Sequence, residues 1–318
     1  MPSDKPCTMM HDSNSNAIRL AGQRQAEIAA MLARDGRVVA GDLAMRFGVS
    51  EDTVRRDLRE MAAEGLCRRV YGGALPAAPD GGTIDQRVAQ GALRKAALAR
   101  ALVCTIAPGS CIFLDAGSTN LAVAAALPAQ AGLTVVTNAP AIASLLASRT
   151  GFEIIVVGGR LDIASGACLG PQALRDLERF RFAALVLGAC GVDAVAGVTA
   201  HVFEEAELKA AAALRSATIL VAATNEKLGT AAAFHVVPAD RISRLVVEAD
   251  CGAERLAPFE ARGLPVATAE PLPPAETAGL RRSRKLPAGR ATQAIPAPLP
   301  ILKPFPIEAS GGSEEMSS

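Results

Sequence analysis

The stretch Gly48-Val49-Ser50-Glu51-Asp52-Thr53-Val54-Arg55-Arg56-Asp57-Leu58-Arg59-Glu60-Met61, continuing Ala62-Ala63-Glu64-Gly65-Leu66-Cys67-Arg68-Arg69-Val70-Tyr71-Gly72-Gly73, decides how this chain is read. Gly48 takes positive φ cheaply and permits a tight turn, and Ser50 is placed to cap the helix that follows. Thr53 stands where a capping box needs Glu or Gln, so the cap is a simple one. Val54, Leu58 and Met61 recur at i, i+4 and i+7 and make one apolar stripe. At about 100° per residue, Asp52, Arg55, Arg56 and Arg59 fall on the opposite side. Guanidiniums in a row can pair bidentately with guanine or clamp phosphates. Gly65 offers a C-terminal stop. Residues 66–71, closed by Gly72-Gly73, read as a short β-ribbon carrying Arg68 and Arg69.

An amphipathic helix with surface arginines is commonly no more than a solvated helix, so the residues before it matter. Ile28, Met31 and Leu32 give a first apolar stripe that ends near Gly36. Leu43 and Phe47 give a short second one. Helix, short helix, glycine turn, arginine helix and basic ribbon in that order are the plan of a winged helix-turn-helix.

Composition sets bounds on the rest. The chain has 318 residues, half of them hydrophobic but only 3% aromatic, so its core is aliphatic. The formal net charge of +1 carries no global basic bias, and any contact with DNA must come from a local arginine patch. The seven cysteines are scattered with no C-x-x-C pair, and the three histidines are far apart in sequence. They read as free thiols, several of them buried in apolar strands, in a reducing compartment, rather than as disulfides or a metal site. The polar N-terminus has no signal-peptide pattern and no apolar run is long enough to span a bilayer, so a cytoplasmic protein with no membrane partner is expected.

In order, residues 1–18 read as a disordered N-terminus, 19–75 as the winged helix and 76–86 as a linker. Residues 87–268 read as a second domain, and 269–318 as a disordered Pro/Ala-rich tail with a basic cluster at 281–285. A helix is expected over 84–106. Beyond Pro108-Gly109, short apolar runs at 111–114, 133–136, 153–157, 184–187, 219–222 and 245–247 alternate, mostly, with helical stretches. That is the pattern of a doubly wound α/β sheet.

In such a sheet the ligand sits at the carboxyl ends of the strands. The residues there are Asp115-Ala116-Gly117-Ser118-Thr119-Asn120, Thr137-Asn138, Gly158-Gly159-Arg160, Gly188 to Asp193 and Thr224-Asn225-Glu226-Lys227. Small and hydroxyl residues at a helix start present free N–H groups and a favourable dipole to an anion, although any capped βα turn looks the same. Lys209 and Lys227 are candidate phosphate partners. There is no dinucleotide fingerprint, P-loop, nucleophile elbow or metal-ligand cluster, and no cofactor is expected.

Gly48-Val49-Ser50, Thr53 to Leu58 and Arg69 to Ala74 resemble the N-terminal signature of the DeoR family of bacterial transcriptional regulators. The resemblance runs on through Ile112 to Thr119, Thr134 to Asn138, Gly158-Gly159, Gly191-Val192-Asp193, Glu204-Glu205-Ala206, Lys209 and Lys227-Leu228-Gly229, so it spans residues 20 to 268. It implies a repressor of sugar-metabolism genes. Double-stranded operator DNA would be bound by Ser50, Thr53, Arg55, Arg56, Arg59, Arg68, Arg69 and Tyr71. It also implies an effector domain, related in fold to sugar-phosphate isomerases, that binds a phosphorylated sugar. The effector contacts it implies are Asp115, Gly117, Ser118, Thr119, Asn138, Gly191, Asp193, Glu205, Lys209 and Lys227. Two positions depart from the family's pattern: Asn120, where a third hydroxyl is usual, and Thr224, where Asp is common.

A homodimer or homotetramer is expected, because pairing half-sites multiplies the affinity of one winged helix. Two alternatives stay open. One is an isomerase-like enzyme carrying Asp193, Glu205 and Lys209; the other is a metabolite-responsive activator.

Overall fold

The seam Val54–Leu58–Met61 is buried together with Ile28, Leu32, Leu43 and Cys67, and these residues make the smaller of two hydrophobic cores. The computed structural model describes residues 13–80 and 82–271. Its N-terminal unit runs α1 (Ser13–Asp35), β1 (Val38–Val39), α2 (Ala40–Phe47), α3 (Glu51–Ala63), β2 (Cys67–Val70) and β3 (Gly73–Pro76). The strands pair antiparallel in the order β1-β3-β2. Gly73 is required where β3 meets β1, since a Cβ there would lie 1.9 Å from the Val38 carbonyl oxygen. α1 starts inside the segment read as disordered; residues 1–12 lie outside the described residues.

The helix expected over 84–106 is two helices, α4 (Ile84–Ala89) and α5 (Ala92–Val103). Gln90 is extended and Gly91 sits at φ 60°, a left-handed turn that glycine adopts without strain. Apolar periodicity alone runs through that break. Thr83 and Gln86 close a full capping box on α4.

The larger unit continues β4 (Cys111–Leu114), α6 (Ser118–Ala126), β5 (Leu133–Thr137), α7 (Pro140–Ala147), β6 (Phe152–Val156), β7 (Arg160–Asp162), β8 (Ala167–Leu169), α8 (Pro171–Leu177) and β9 (Phe182–Leu187). It ends with β10 (Gly191–Asp193), β11 (Gly197–Ala200), α9 (Phe203–Leu214), β12 (Ser216–Ala222), β13 (Phe234–Val237), β14 (Arg244–Val247), α10 (Ala253–Glu260) and β15 (Val266–Thr268). Seven strands form one sheet in the order β15-β14-β12-β9-β4-β5-β6, and every neighbouring pair is parallel. The six expected strands are all present. The seventh, β15, is a three-residue edge strand too short to show in an apolar pattern.

The strand order reverses between β4 and β9, which is the switch point where a doubly wound sheet opens a crevice. Around it stand a small antiparallel sheet, β10-β11-β13, and the hairpin β7–β8, both in stretches the sequence reading left as loops.

The six described cysteines are free; Cys67 and Cys168 are buried as expected, whereas Cys104 is exposed just past the end of α5. Among the described residues no helix is long and apolar enough to cross a membrane, and no His/Cys/Asp/Glu cluster could hold a metal. The tail expected to be disordered lies almost wholly outside the described residues.

Candidate functional site

The arginine helix α3 presents one face outward. Arg55, Arg56 and Arg59 are exposed on it, and Arg55 is held by Glu51 at 2.6 Å one turn earlier. Ser50 Oγ accepts the Thr53 N–H at 3.2 Å and lies 2.9 Å from the Thr53 hydroxyl, so both residues shape the helix start. Asp57 does not belong to this outer face. It is buried, and its carboxylate takes the Arg24 guanidinium of α1 bidentately, with Nη2 to Oδ1 at 2.8 Å. Positions 54, 57, 58 and 61 form one buried arc, which was the signal that Asp57 faces inward. On the wing, Arg69 is exposed and Tyr71, 99% exposed, stands at the β2–β3 turn. Arg68 is half-buried, and its Nε has no hydrogen-bond partner among the described residues.

The second candidate site is a cavity of about 360 Å³ at the switch point of the sheet, lined by residues that follow β4, β9 and β12. At its floor Lys209 of α9 is almost fully buried and meets Asp115 at 3.0 Å and Glu205 at 2.8 Å, and it donates to the Gly188 carbonyl at 2.7 Å. Asp115 Oδ2 also accepts the Gly188 N–H at 2.9 Å, tying the ends of β4 and β9 together. Burial would push the Lys209 ammonium down, but Asp115 and then Glu205 overcome it and hold it above its ordinary value. Burial likewise opposes charge on Glu205, yet Lys209 keeps that carboxyl below its ordinary value. The floor is therefore a buried ionic cluster of one ammonium against two carboxylates, Asp115 and Glu205.

Above it the balance is different. Lys227 donates to the Ala189 carbonyl at 2.7 Å, Lys95 donates to the Arg87 carbonyl, and Arg87 reaches the carbonyls of Gly82, Ala164 and Ser165. None of these three cations has a carboxylate at ion-pairing distance among the described residues. Burial and the neighbouring Lys227 push the Lys95 ammonium down to about 8. Burial lowers Lys227 as well, with Lys209 and Arg87 adding to it. The N-terminus of α6 faces the same space: Gly117, Ser118, Thr119 and Asn120 line it, and no side chain caps the helix. The buried Thr119 hydroxyl has no partner among the described residues. Cations bonded only to carbonyls beside an uncapped helix start are a place for an anion, with Asp80, Asp162, Glu205 and Glu226 on the same walls.

Two family models match the chain. A DeoR-like helix-turn-helix domain matches residues 24–78, and a DeoR C terminal sensor domain matches residues 91–249. The chain belongs to the DeoR family. It is a DNA-binding transcriptional regulator built of these two domains. A regulator named GlpR from Haloferax volcanii is 31% identical over 250 residues, covering 78% of this chain and 97% of that one. The glycerol-3-phosphate regulon repressor of Escherichia coli K12 is 32% identical over 208 residues, covering 65% of this chain and 82% of that one. A ribose 5 phosphate isomerase A from Neisseria gonorrhoeae is 17% identical over 42% of this chain and 52% of that one, with a TM-score of 0.31, too loose to add to the strand order described above.

In this DeoR-family chain the expected effector residues divide into two groups. Gly117, Ser118, Thr119, Glu205, Lys209 and Lys227 line the cavity, and Asp115 lies just beneath it, bound to Lys209. Asn138, Gly191 and Asp193 do not line it. Asn138 Oδ1 accepts the Ala116 N–H at 3.1 Å, which fixes the β4 end from the β5 side. Gly191 lies against Thr230, whose carbonyl oxygen would be 2.6 Å from an added Cβ. Asp193 Oδ1 accepts the N–H groups of Val195 and Ala196, both at 2.8 Å, and so caps the β10–β11 turn. The set Asp193, Glu205 and Lys209 is thus not assembled around one reacting centre.

The two departures from the DeoR pattern also have places. Asn120 donates to the carbonyls of Asp115 at 2.9 Å and Val186 at 3.1 Å, two bonds that a single hydroxyl proton cannot make. Thr224 is fully buried and lines the cavity.

Sequence reading missed Arg87 and Lys95. The buried positions of α5 are Lys95, Leu98, Ala99 and Leu102, at i, i+3, i+4 and i+7. A lysine in register with an apolar stripe was the available signal.

Proposed function

We propose that this protein is a repressor of sugar-metabolism genes that releases its operator when a phosphorylated sugar enters the switch-point cavity. The observation that carries the reading is the convergence of Arg87, Lys95 and Lys227, none paired with a carboxylate, on an uncapped helix start. A phosphate offers these cations a charged partner and several acceptor oxygens. Asp115, which would repel it, lies beneath the cavity and is paired with Lys209. Glu205, on the cavity wall, accepts from sugar hydroxyls. The volume of about 360 Å³ suits a small phosphorylated metabolite. The glycerol-3-phosphate regulon repressor among its relatives supports the same ligand chemistry.

On the DNA side, Arg56 and Arg59, with Arg55 beside them, read bases in the major groove, with Ser50 and Thr53 at the helix start near the backbone. Arg69, Tyr71 and the more enclosed Arg68 engage phosphates. The protein acts as a homodimer or homotetramer on paired half-sites in the cytoplasm.

Fluorescence anisotropy on the DNA upstream of its own gene, at fixed salt, tests the reading as sugar phosphates are added in turn. Specific binding released by one of them is the expected result. Binding that no phosphorylated sugar affects would overturn the effector assignment, and tighter binding on addition would reverse the sign to activation.

A further inference from the structure

The cavity has two kinds of wall. One is formed by the strand ends of the sensor. The other is the segment that joins the winged helix to it: Pro79, Asp80, Gly82, Arg87, Gln90 and Lys95 all line the space. This segment leaves the wing strand β3 at Pro76 and is first pinned on Ala231. The Ala231 N–H donates to the Pro76 carbonyl at 3.3 Å, and the Ala78 N–H donates to the Ala231 carbonyl at 3.0 Å. It then passes His201, whose Nε2 lies 3.3 Å from the Pro79 oxygen, and enters α4.

α4 buries none of its residues. Much of what holds it is polar. Arg87 reaches the carbonyls of Ala164 and Ser165 in the β7–β8 turn, each at 3.3 Å, and the Lys95 ammonium grips the Arg87 carbonyl near the end of α4. The break at Gly91 makes the second contact possible, because it sets the start of α5 back against α4. Both cations that hold α4 therefore line the cavity, and both hold it through neutral carbonyl oxygens.

We propose that this joining segment is the element that reports the ligand to the DNA-binding domain. An anionic ligand competes with the carbonyls for Arg87 and Lys95, and residues 79–80 and 82–91, which join the wing through the stretch 76–78 held on Ala231, change their docking. The inference rests on the ligand reading given above. The physical warrant is a difference in acceptors. A bond from a cation to a carbonyl is already charge-assisted, and a phosphate oxygen adds the attraction of an opposite charge and, at Arg87, a bidentate fit. A ligand shifts a conformational equilibrium only through contacts that differ between the two states, and contacts made by α4's own anchors differ by construction. A segment with no buried side chains is also the kind that opens at low cost. Coupling of this type changes affinity by about 5–150-fold.

The test uses the full-length protein. Calorimetry first asks whether ribose 5-phosphate, fructose 6-phosphate, glycerol 3-phosphate or inorganic phosphate binds. Hydrogen exchange is then compared with and without each compound that does. The expected result is altered exchange in residues 79–80 and 82–91 as well as at the α6 start. If none of the four binds, both the ligand reading and this proposal fall. If a compound binds and alters exchange only at the α6 start, this proposal alone is overturned. Lys95→Met adds a second readout. The ratio of the concentration that half-releases operator to the Kd for the same compound should rise at least about fivefold, the lower end of that range. An unchanged ratio would make Lys95 a plain ligand contact and refute the coupling role. Arg87→Gln serves the same test if Lys95→Met does not fold, and the exchange experiment needs no variant.

Discussion

The Lys209→Met substitution probes the floor of the cavity most directly. Methionine keeps much of the side chain's volume and removes the ammonium. Asp115 then stays buried with one remaining bond, from the Gly188 N–H, and the Gly188 carbonyl loses its donor. Removing one partner of a buried ion pair costs about 3–5 kcal/mol, because the other charge is left uncompensated. For a domain of this size, about 2–4 °C of melting temperature follows each kcal/mol, so the sensor transition should fall by about 6–20 °C. The deficit has a pH signature. Burial already holds the Asp115 carboxyl above its ordinary value, and loss of the ammonium raises it further. A carboxyl raised in the folded state favours folding at low pH and loses that contribution as pH rises. The gap between variant and wild type should therefore narrow from pH 8 toward pH 5. Adding Asp115→Asn removes the more deeply buried of the two carboxylates left without Lys209, the other being Glu205, and should recover about 1–3 kcal/mol by a double-mutant cycle. Scanning calorimetry of the four proteins at both pH values measures all of this. A fall under about 2 °C, or no recovery in the double variant, would refute the view that the pair is held together by mutual neutralisation.

The remaining expectations are more local. Arg56→Ala should weaken operator binding by about 1–3 kcal/mol if that side chain reads a base, and an unchanged anisotropy titration would remove it from the interface. Asp57→Asn should lower the stability of the winged helix by about 1.5–3 kcal/mol through the Arg24 bond, seen as an earlier first transition on heating. Lys227→Ala should raise the ligand concentration needed for half-release by about 10–100-fold, the worth of one charge-assisted bond; equal sensitivity would mean that Lys227 serves only the Ala189 carbonyl. Affinity for an anionic ligand should fall as pH rises from 7 to 9, because the Lys95 ammonium loses its proton near 8, and Lys95→Met should flatten that slope in calorimetric titrations.

Much of this protein was legible in local pattern. The stripe Val54–Leu58–Met61, the cap at Ser50 and the turn at Gly72-Gly73 are statements about neighbours in sequence, and helix and strand formation follow from them. The six apolar runs became six parallel strands; five are largely buried, where a strand covered on both faces has to be continuously apolar, and β6 is the half-buried edge. Asp57 shows where such reading needs care. The apolar stripe was drawn through Val54, Leu58 and Met61 without it, while its position in the 54–57–58–61 arc puts it inside against Arg24.

The sequence by itself determined the helices of the winged helix, six strands of the main sheet, that there are two domains, and that residues after the strands carry hydroxyl, amide and lysine groups. Only the tertiary structure decided how those groups are shared. It committed Lys209 to Asp115 and Glu205, sent Asn138 and Asp193 to brace backbone, and brought Arg87 and Lys95 from the joining segment to the same cavity as Lys227. The reason is that periodicity reports which face of an element is buried but not what lies opposite it. Partners such as Lys95 and Lys227 stand far apart along the chain, and their meeting is fixed by strand order and by the break at Gly91, neither of which leaves a trace in the local pattern of apolar residues.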